Sequence, residues 1–151
     1  MNDRLARFCA TFLHIGDFPV APGSAASAAA LVVAFLLHRW PWAYILTGIF
    51  FTVLGFMSAG RVEKLMGRKD PGCIVIDEAA GVMISFLFVP MTWPVMVTGF
   101  FLFRAFDMFK IYPANRLEDM GGSVGIMADD IAAGLYANLT LQVALRLAGW
   151  I

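Results

Sequence analysis

Three stretches of the chain carry no Asp, Glu, Lys or Arg: residues 18–38, 40–60 and 79–103. Each reaches the roughly 20 residues that a helix needs to cross the hydrocarbon of a bilayer. A fourth stretch, 131–145, is shorter but continues apolar past Arg146 to Ile151. Pro90 and Pro94 interrupt the third. Two prolines so close end a helix, because each lacks an N–H and pushes the preceding residue out of the helical region. The pattern therefore predicts five helices, near 24–38, 42–60, 75–89, 94–109 and 129–149, the third and fourth joined by a tight turn. No repeat or low-complexity segment breaks the order. The expected fold is all-α, an integral membrane bundle of about five short helices forming one domain over residues 1–151.

Composition agrees with this pattern. Of 151 residues 60% are apolar and 15% charged, with a mean hydropathy of +0.77; the apolar share of soluble domains is roughly 45–50%. Net charge is zero and no basic run occurs, which argues against a nucleic-acid binder held by phosphate contacts. Cys9 and Cys73 form neither a CxxC pair nor a disulfide framework, and two histidines are too few for an ordinary zinc site. The N-terminus imitates a signal peptide, with Arg4 and Arg7 ahead of an apolar run and Ala26-Ser27-Ala28 as a cleavage-like site. Asp17, Pro19, Pro22 and Gly23 interrupt that run, so the segment is expected to be retained.

The placement of charge sets the orientation. With five crossings, Arg4, Arg7, Arg61, Lys64, Arg68, Lys69, Arg104, Lys110 and Arg116 fall on one side and only Arg39 and Arg146 on the other. The positive-inside rule makes the crowded side cytoplasmic. All eleven acidic residues, from Asp3 to Asp130, fall there too. Acids have little influence on topology, so their segregation points to function. Trp40, Trp42, Trp93 and Trp150 gather at the opposite ends, as interfacial aromatics do. Ala26, Ala30 and Ala34 form a small-residue stripe for close helix packing within one subunit, with a second copy of the chain, a homo-oligomer, as the alternative partner.

The cytoplasmic ends present Pro22-Gly23-Ser24, Asp70, Asp77-Glu78, Arg104, Asp107, Lys110 and Asp129-Asp130. Singly, each has an ordinary explanation. Asp77-Glu78 and Asp129-Asp130 sit where helices are expected to start and suit the helix dipole, and Arg104 and Asp107 are spaced to pair on one helix. Together they are harder to dismiss, because ionisable groups beside membrane segments are costly and face a polar cavity or one another. Asp77, Glu78, Asp107, Asp129 and Asp130 would repel if they converged unneutralised, and a hard divalent cation resolves this. Magnesium takes oxygen ligands and commonly binds through one or two carboxylates plus a substrate phosphate. Arg104 and Lys110 supply cationic donors for that phosphate, and the helix start after Gly23-Ser24 offers free N–H groups. Other phosphate chemistries fit poorly. The chain has no GxxxxGK[ST] loop, and six positions after Cys9 and Cys73 stand Ile15 and Ala79 rather than arginine. With only His14 and His38 present, a histidine nucleophile backed by a second histidine is also unsupported.

Four motifs then resemble, in order and spacing, the phosphatidylglycerophosphatase A family: Pro22-Gly23-Ser24-Ala25-Ala26-Ser27, the run from Ile74 through Asp77-Glu78 to Gly81, Phe103-Arg104-Ala105-Phe106-Asp107-Met108-Phe109-Lys110, and the run from Gly121 through Asp129-Asp130 to Gly134. The resemblance spans about residues 12–139. It implies a magnesium-dependent lipid phosphatase of the bacterial inner membrane, multi-pass with its active site facing the cytoplasm. Its substrate in the membrane would be phosphatidylglycerophosphate, cleaved to phosphatidylglycerol and inorganic phosphate. By that resemblance Asp77, Glu78, Asp107, Asp129 and Asp130 are the catalytic and metal-binding carboxylates, while Arg104, Lys110, Gly23 and Ser24 bind the substrate phosphate. Two departures bear on head-group fit. Ser24 and Ala26 replace Thr and Gly of the family's PGTxGS, and Ile111-Tyr112-Pro113 lacks the first proline of a Pro-aromatic-Pro.

The nucleophile, water or a carboxylate, stays open. So do two rival functions. One is another magnesium-dependent membrane enzyme of phospholipid head-group chemistry, such as a phosphatidyl transferase, whose DGxxARx8Gx3Dx3D pattern is missing. The other is a non-catalytic membrane subunit, which would carry its charges at mid-helix.

Overall fold

Asn2 opens the first helix by accepting the Leu5 N–H at 2.8 Å, and α1 follows over Asp3–Ala10. This computed structural model describes residues 1–110, 112, 116 and 120–151. The charge-free stretches leave α1 unpredicted, since its eight residues mix Arg4 and Arg7 with Leu5 and Phe8. Ala6 and Ala10 are buried, whereas Leu5 and Phe8 stay exposed. Phe12, Leu13 and His14 then adopt positive φ, and a short 3-10 turn, Ile15–Asp17, reverses the chain. Arg7 and His14 both bind the Asp17 carboxylate, at 2.9 and 2.8 Å, and close this turn. Its inner side is fixed to a distant segment: the Val75 N–H donates to the Ala10 carbonyl at 2.9 Å.

The helices that follow are α2 (Pro22–Leu37), α3 (Pro41–Met66), α4 (Ile76–Ser85), α5 (Trp93–Phe109) and α6 (Gly122–Leu147). Proline stands in the first turn of α2, α3 and α5, where its missing N–H costs no hydrogen bond. Pro94 thus starts α5, and residues 86–92 form the break expected between the third and fourth helices. No strand occurs among the described residues.

Three boundaries depart from the expected ones. α3 runs on to Met66 rather than stopping near 60, and α4 ends at Ser85 rather than 89. α6 begins at Gly122, seven residues before the expected start. Among the described residues one helix, α3, is both long and apolar enough to cross a membrane, and α2 is a shorter apolar helix.

α6 is the hub, packing against α3, α4 and α5, while α2 packs chiefly on α4. Ala26, Ala30 and Ala34 have no exposed surface, so the small-residue stripe serves packing inside the subunit. α4 and α6 approach backbone to backbone at Gly81 and Gly134. A Cβ at Gly134 would lie 2.5 Å from the Gly81 carbonyl oxygen, and one at Gly81 would lie 2.8 Å from the Asp130 carbonyl oxygen. Lower down, the Asn138 amide of α6 donates to the carbonyls of Ser85 and Leu87 at 3.1 and 2.9 Å. These carbonyls end α4 and have no helical partner of their own, so the bond lets a ten-residue helix stop inside an apolar body. Large apolar side chains cover much of the exterior, among them Trp42, Leu46, Ile49, Phe101 and Leu139, each at least half exposed.

Candidate active site

Asp77 and Glu78 occupy the first turn of α4, whose N-cap, Val75, offers no side-chain cap. One α-helical turn separates Asp77 from Gly81 and Asp130 from Gly134. Because α4 and α6 touch backbone to backbone at those glycines, the turns above them are brought side by side. One carboxylate oxygen each from Asp77, Glu78 and Asp130 then lies within 4.8 Å of the others. Asp77 and Asp130 are buried, at 7% and 3% exposure.

Asp129 and Asp130 are the eighth and ninth residues of α6, two turns from its start. This corrects the expectation that they open the last helix, and with it the explanation by capping and dipole, which act within the first turn. Neighbouring side chains on a helix diverge by about 100°, and the pair indeed serves different partners. Asp130 joins the cluster on α4. Asp129 accepts from the Lys110 ammonium at 3.0 Å and from the Asp130 N–H at 3.0 Å.

α5 supplies the cationic side. Arg104 donates through Nη1 to Asp107 Oδ2 at 2.7 Å, the i, i+3 pairing that its sequence spacing allows. The same nitrogen is 3.9 Å from Glu78 Oε1, near enough for charge attraction but not for a hydrogen bond. Asp107 also faces Asp130 and Glu78 electrostatically. Lys110 sits at the α5 C-cap with φ 45°. Of the segment after it, Ile111 and Pro113 lie outside the described residues, as do the acidic Glu118 and Asp119.

Gly23, in the first turn of α2, completes the ring. A Cβ there would stand 2.1 Å from Glu78 Oε1 and 3.5 Å from Arg104 Nη1, so a larger residue would have to displace the Glu78 carboxylate. The α2 N-cap, Ala21, makes no side-chain cap bond, and the first-turn N–H groups have no intrahelical acceptor. Ser24 follows in the same turn, half-buried. Of the nine residues expected from the sequence, Asp77, Glu78, Asp130, Arg104, Asp107 and Gly23 stand together, Asp129 and Lys110 pair beside them, and Ser24 follows Gly23 in the first turn of α2.

The donor set fits a hard cation. Asp77 Oδ1 and Glu78 Oε2 are buried and have no hydrogen-bond partner. A buried carboxylate oxygen without a partner is costly, and two of them beside a third carboxylate ask for positive charge. Arg104 supplies part of it. This group of carboxylate oxygens could hold a metal ion.

Two supporting residues escaped sequence reasoning. Glu63, near the end of α3, accepts from the Gly122 N–H at 2.9 Å through one oxygen and from the Asp70 N–H at 3.3 Å through the other. It ties the start of α6 to the segment before α4. Asp70 itself adds negative charge felt by Asp77 and Asp129. Ser123 contributes a similar tie, accepting the Gly60 N–H at 2.8 Å. No local signal marks Glu63, because Gly122 is 59 residues away.

The family described as Phosphatidylglycerophosphatase A matches residues 8–145. A protein of Bacteroides thetaiotaomicron named putative phosphatidylinositol-3-phosphatase is 34% identical over 139 residues, covering 85% of this chain and 86% of its own. The Phosphatidylglycerophosphatase A of Escherichia coli is 35% identical over 125 residues, 81% of this chain and 73% of its own. That of Haemophilus influenzae is 34% identical over 91 residues, 59% and 56% of the two chains. No solved structure matches.

Proposed function

The chain belongs to the phosphatidylglycerophosphatase A family and is a phosphatase, and from that premise we propose that it removes the terminal phosphomonoester of phosphatidylglycerophosphate, giving phosphatidylglycerol and inorganic phosphate. The observation that carries this reading is the convergence of Asp77, Glu78 and Asp130 within 4.8 Å, with Arg104 3.9 Å from Glu78. Acidic residues that hold a cation stand beside basic residues that hold a phosphate.

Asp77, Glu78 and Asp130 hold magnesium in this reading, with Asp107 and Asp129 as further carboxylates at the edge of the cluster. When bound, the ion would neutralise the carboxylates and polarise a phosphoryl oxygen. The chain's own residues do the rest. Arg104 and Lys110 turn from Asp107 and Asp129 toward the incoming phosphate, Arg104 through its planar fork and Lys110 as a point charge. The N–H groups of Gly23 and Ser24 bind another phosphate oxygen. Glu78, adjoining both Gly23 and Arg104, takes a proton from the attacking water through whichever oxygen is left to it. The glycerol oxygen leaves opposite the water and takes a proton from solvent water, while the proton held by Glu78 returns to solvent.

The same reading makes the protein a multi-pass protein of the bacterial cytoplasmic membrane with this site at the cytoplasmic face. Nine of eleven cations lie on that side of the expected topology, and the apolar exterior together with the exposed Trp42 and Trp93 supports it. A substrate whose chains stay in the bilayer and whose head is at the surface suits a site at helix mouths.

The relative named putative phosphatidylinositol-3-phosphatase supports a second reading, in which the phosphomonoester is carried on an inositol ring. Purified protein assayed for phosphate release from both lipids, with and without magnesium, decides between them. Magnesium-dependent release from phosphatidylglycerophosphate is expected. Preference for the inositol lipid would move the function to the second reading, and release from neither, or release indifferent to EDTA, would overturn both.

A further inference from the structure

Between α1 and α3 runs an apolar groove of about 700 Å³, lined among others by Leu5 and Phe8 of α1, Phe51, Leu54 and Met57 of α3, and Ile76 of α4. Its volume lies in the range of about 300–1,000 Å³ typical of small-molecule sites. Ile76 lines the groove and its chain neighbour Asp77 belongs to the acidic cluster, so the first turn of α4 carries both and stands between them. That junction is fixed from the α1 side. The Val75 N–H bonds the Ala10 carbonyl, and Gly16 packs on the Cys73 carbonyl, where a Cβ would come within 2.0 Å.

We propose that this groove seats one acyl chain of the phospholipid whose phosphomonoester meets the acidic cluster. The inference rests on the lipid-phosphatase reading and adds where the lipid's tail lies. Three observations favour an alkyl chain over other occupants. The lining is hydrocarbon, so a ligand with polar groups would lose its hydrogen bonds to water there, whereas an alkyl chain has none to lose. The wall on α3 from Phe50 to Met57 extends about 10 Å at the helical rise, and a hydrocarbon leaflet is about 15 Å deep. On the elements that wall the groove, Arg61 is already bound to Asp3 at 2.7 Å and Arg7 to Asp17 at 2.9 Å. These pairs reduce the pull on a second anionic head, and the groove stays open along Leu5 and Leu13, 49% and 60% exposed.

The test uses the full chain in phosphatidylcholine vesicles containing phosphatidylglycerol with a photoactivatable diazirine midway along one acyl chain. Cross-links are expected to concentrate in residues 5–13 and 50–57 and to be competed by unlabelled long-chain phosphatidylglycerol. Met57→Trp, at an exposed position that tolerates bulk, should thin those cross-links. It should also lower the ratio of turnover on long-chain to dihexanoyl substrate by about tenfold, the scale that a few methylene contacts command. Leu5→Trp, on the opposite wall, should lower the same ratio, which keeps the test valid if one variant folds badly. Cross-links spread evenly over the apolar faces of α3, α5 and α6, cross-links to a second copy, or an unchanged ratio in both variants would overturn the seat. Failure of the phosphatase reading would be seen separately. In that case wild-type protein releases no phosphate from any lipid monoester, while cross-links confined to the groove leave the seat standing.

Discussion

Gly134 rests on the backbone carbonyl of Gly81 so closely that a methyl group added there would sit 2.5 Å from the oxygen. Each glycine follows a cluster carboxylate by four residues, Asp130 on α6 and Asp77 on α4. The crossing thus sets how near the two carboxylates come, one turn above it.

Gly134→Val should separate the two helices. Overpacking of this kind costs about 1–3 kcal/mol, visible as a lower melting temperature in detergent. Phosphate release should fall further than the loss of folded protein explains. A variant with wild-type melting and wild-type turnover would show that the crossing does not position the site.

Removing the metal should separate Asp130→Asn from wild type. A ligand at about 100 times its Kd adds roughly 2.7 kcal/mol of stability, so magnesium should raise the wild-type melting temperature and EDTA should reverse it. The variant should gain little from magnesium and release almost no phosphate. In EDTA it should melt no lower than wild type, because a buried carboxylate has been neutralised. An equal magnesium gain in both proteins would sink the assignment of Asp130 as a ligand.

Arg104→Lys keeps the charge and loses the planar fork, of which Nη1 alone meets both Asp107 and Glu78 here. A drop in kcat/KM of about tenfold or more is expected, with folding intact. Turnover equal to wild type would mean that a point charge suffices and that Arg104 does not hold the phosphate in two directions.

Asn138→Leu probes the fold away from the chemistry. It leaves the carbonyls of Ser85 and Leu87 without their donor, a loss of about 1–3 kcal/mol for buried groups. The magnesium-induced rise in melting temperature should persist. If stability does not change, the end of α4 finds another partner.

Orientation is open to thiol labelling in a Cys9→Ser, Cys73→Ser background. Trp42→Cys should react with a membrane-impermeant maleimide on intact cells, and Lys64→Cys only after permeabilisation. The reverse pattern would place the site on the outer face.

Much of the fold was legible because charge-free runs and prolines are local signals. Pro22, Pro41 and Pro94 mark helix starts within a residue or two. The misjudged boundaries depend on partners far along the chain. α3 continues through Arg61, Glu63 and Lys64, where polarity ends the apolar pattern but Glu63 is held by Gly122 and Asp70. α6 starts early because Gly122 and Ser123 are anchored to α3 by those same contacts, although Gly121-Gly122-Ser123 reads as a loop. α1 was invisible because its burial rests on Ala6 and Ala10, residues too small to mark a pattern. The site residues were legible as types and as a family resemblance. What could not be read was their grouping, in which Asp77, Glu78 and Asp130 converge while Lys110 pairs with Asp129 and Arg104 with Asp107 beside them.

The position of Asp129-Asp130 in mid-helix carries one more consequence. Asp129 and Asp130 share one peptide unit, so their Cα atoms keep a fixed separation. One carboxylate faces Lys110 and the other faces Asp77 and Glu78. Any turn of α6 about its axis therefore moves the acidic cluster and the lysine contact together, and neither can be retuned through this helix without the other.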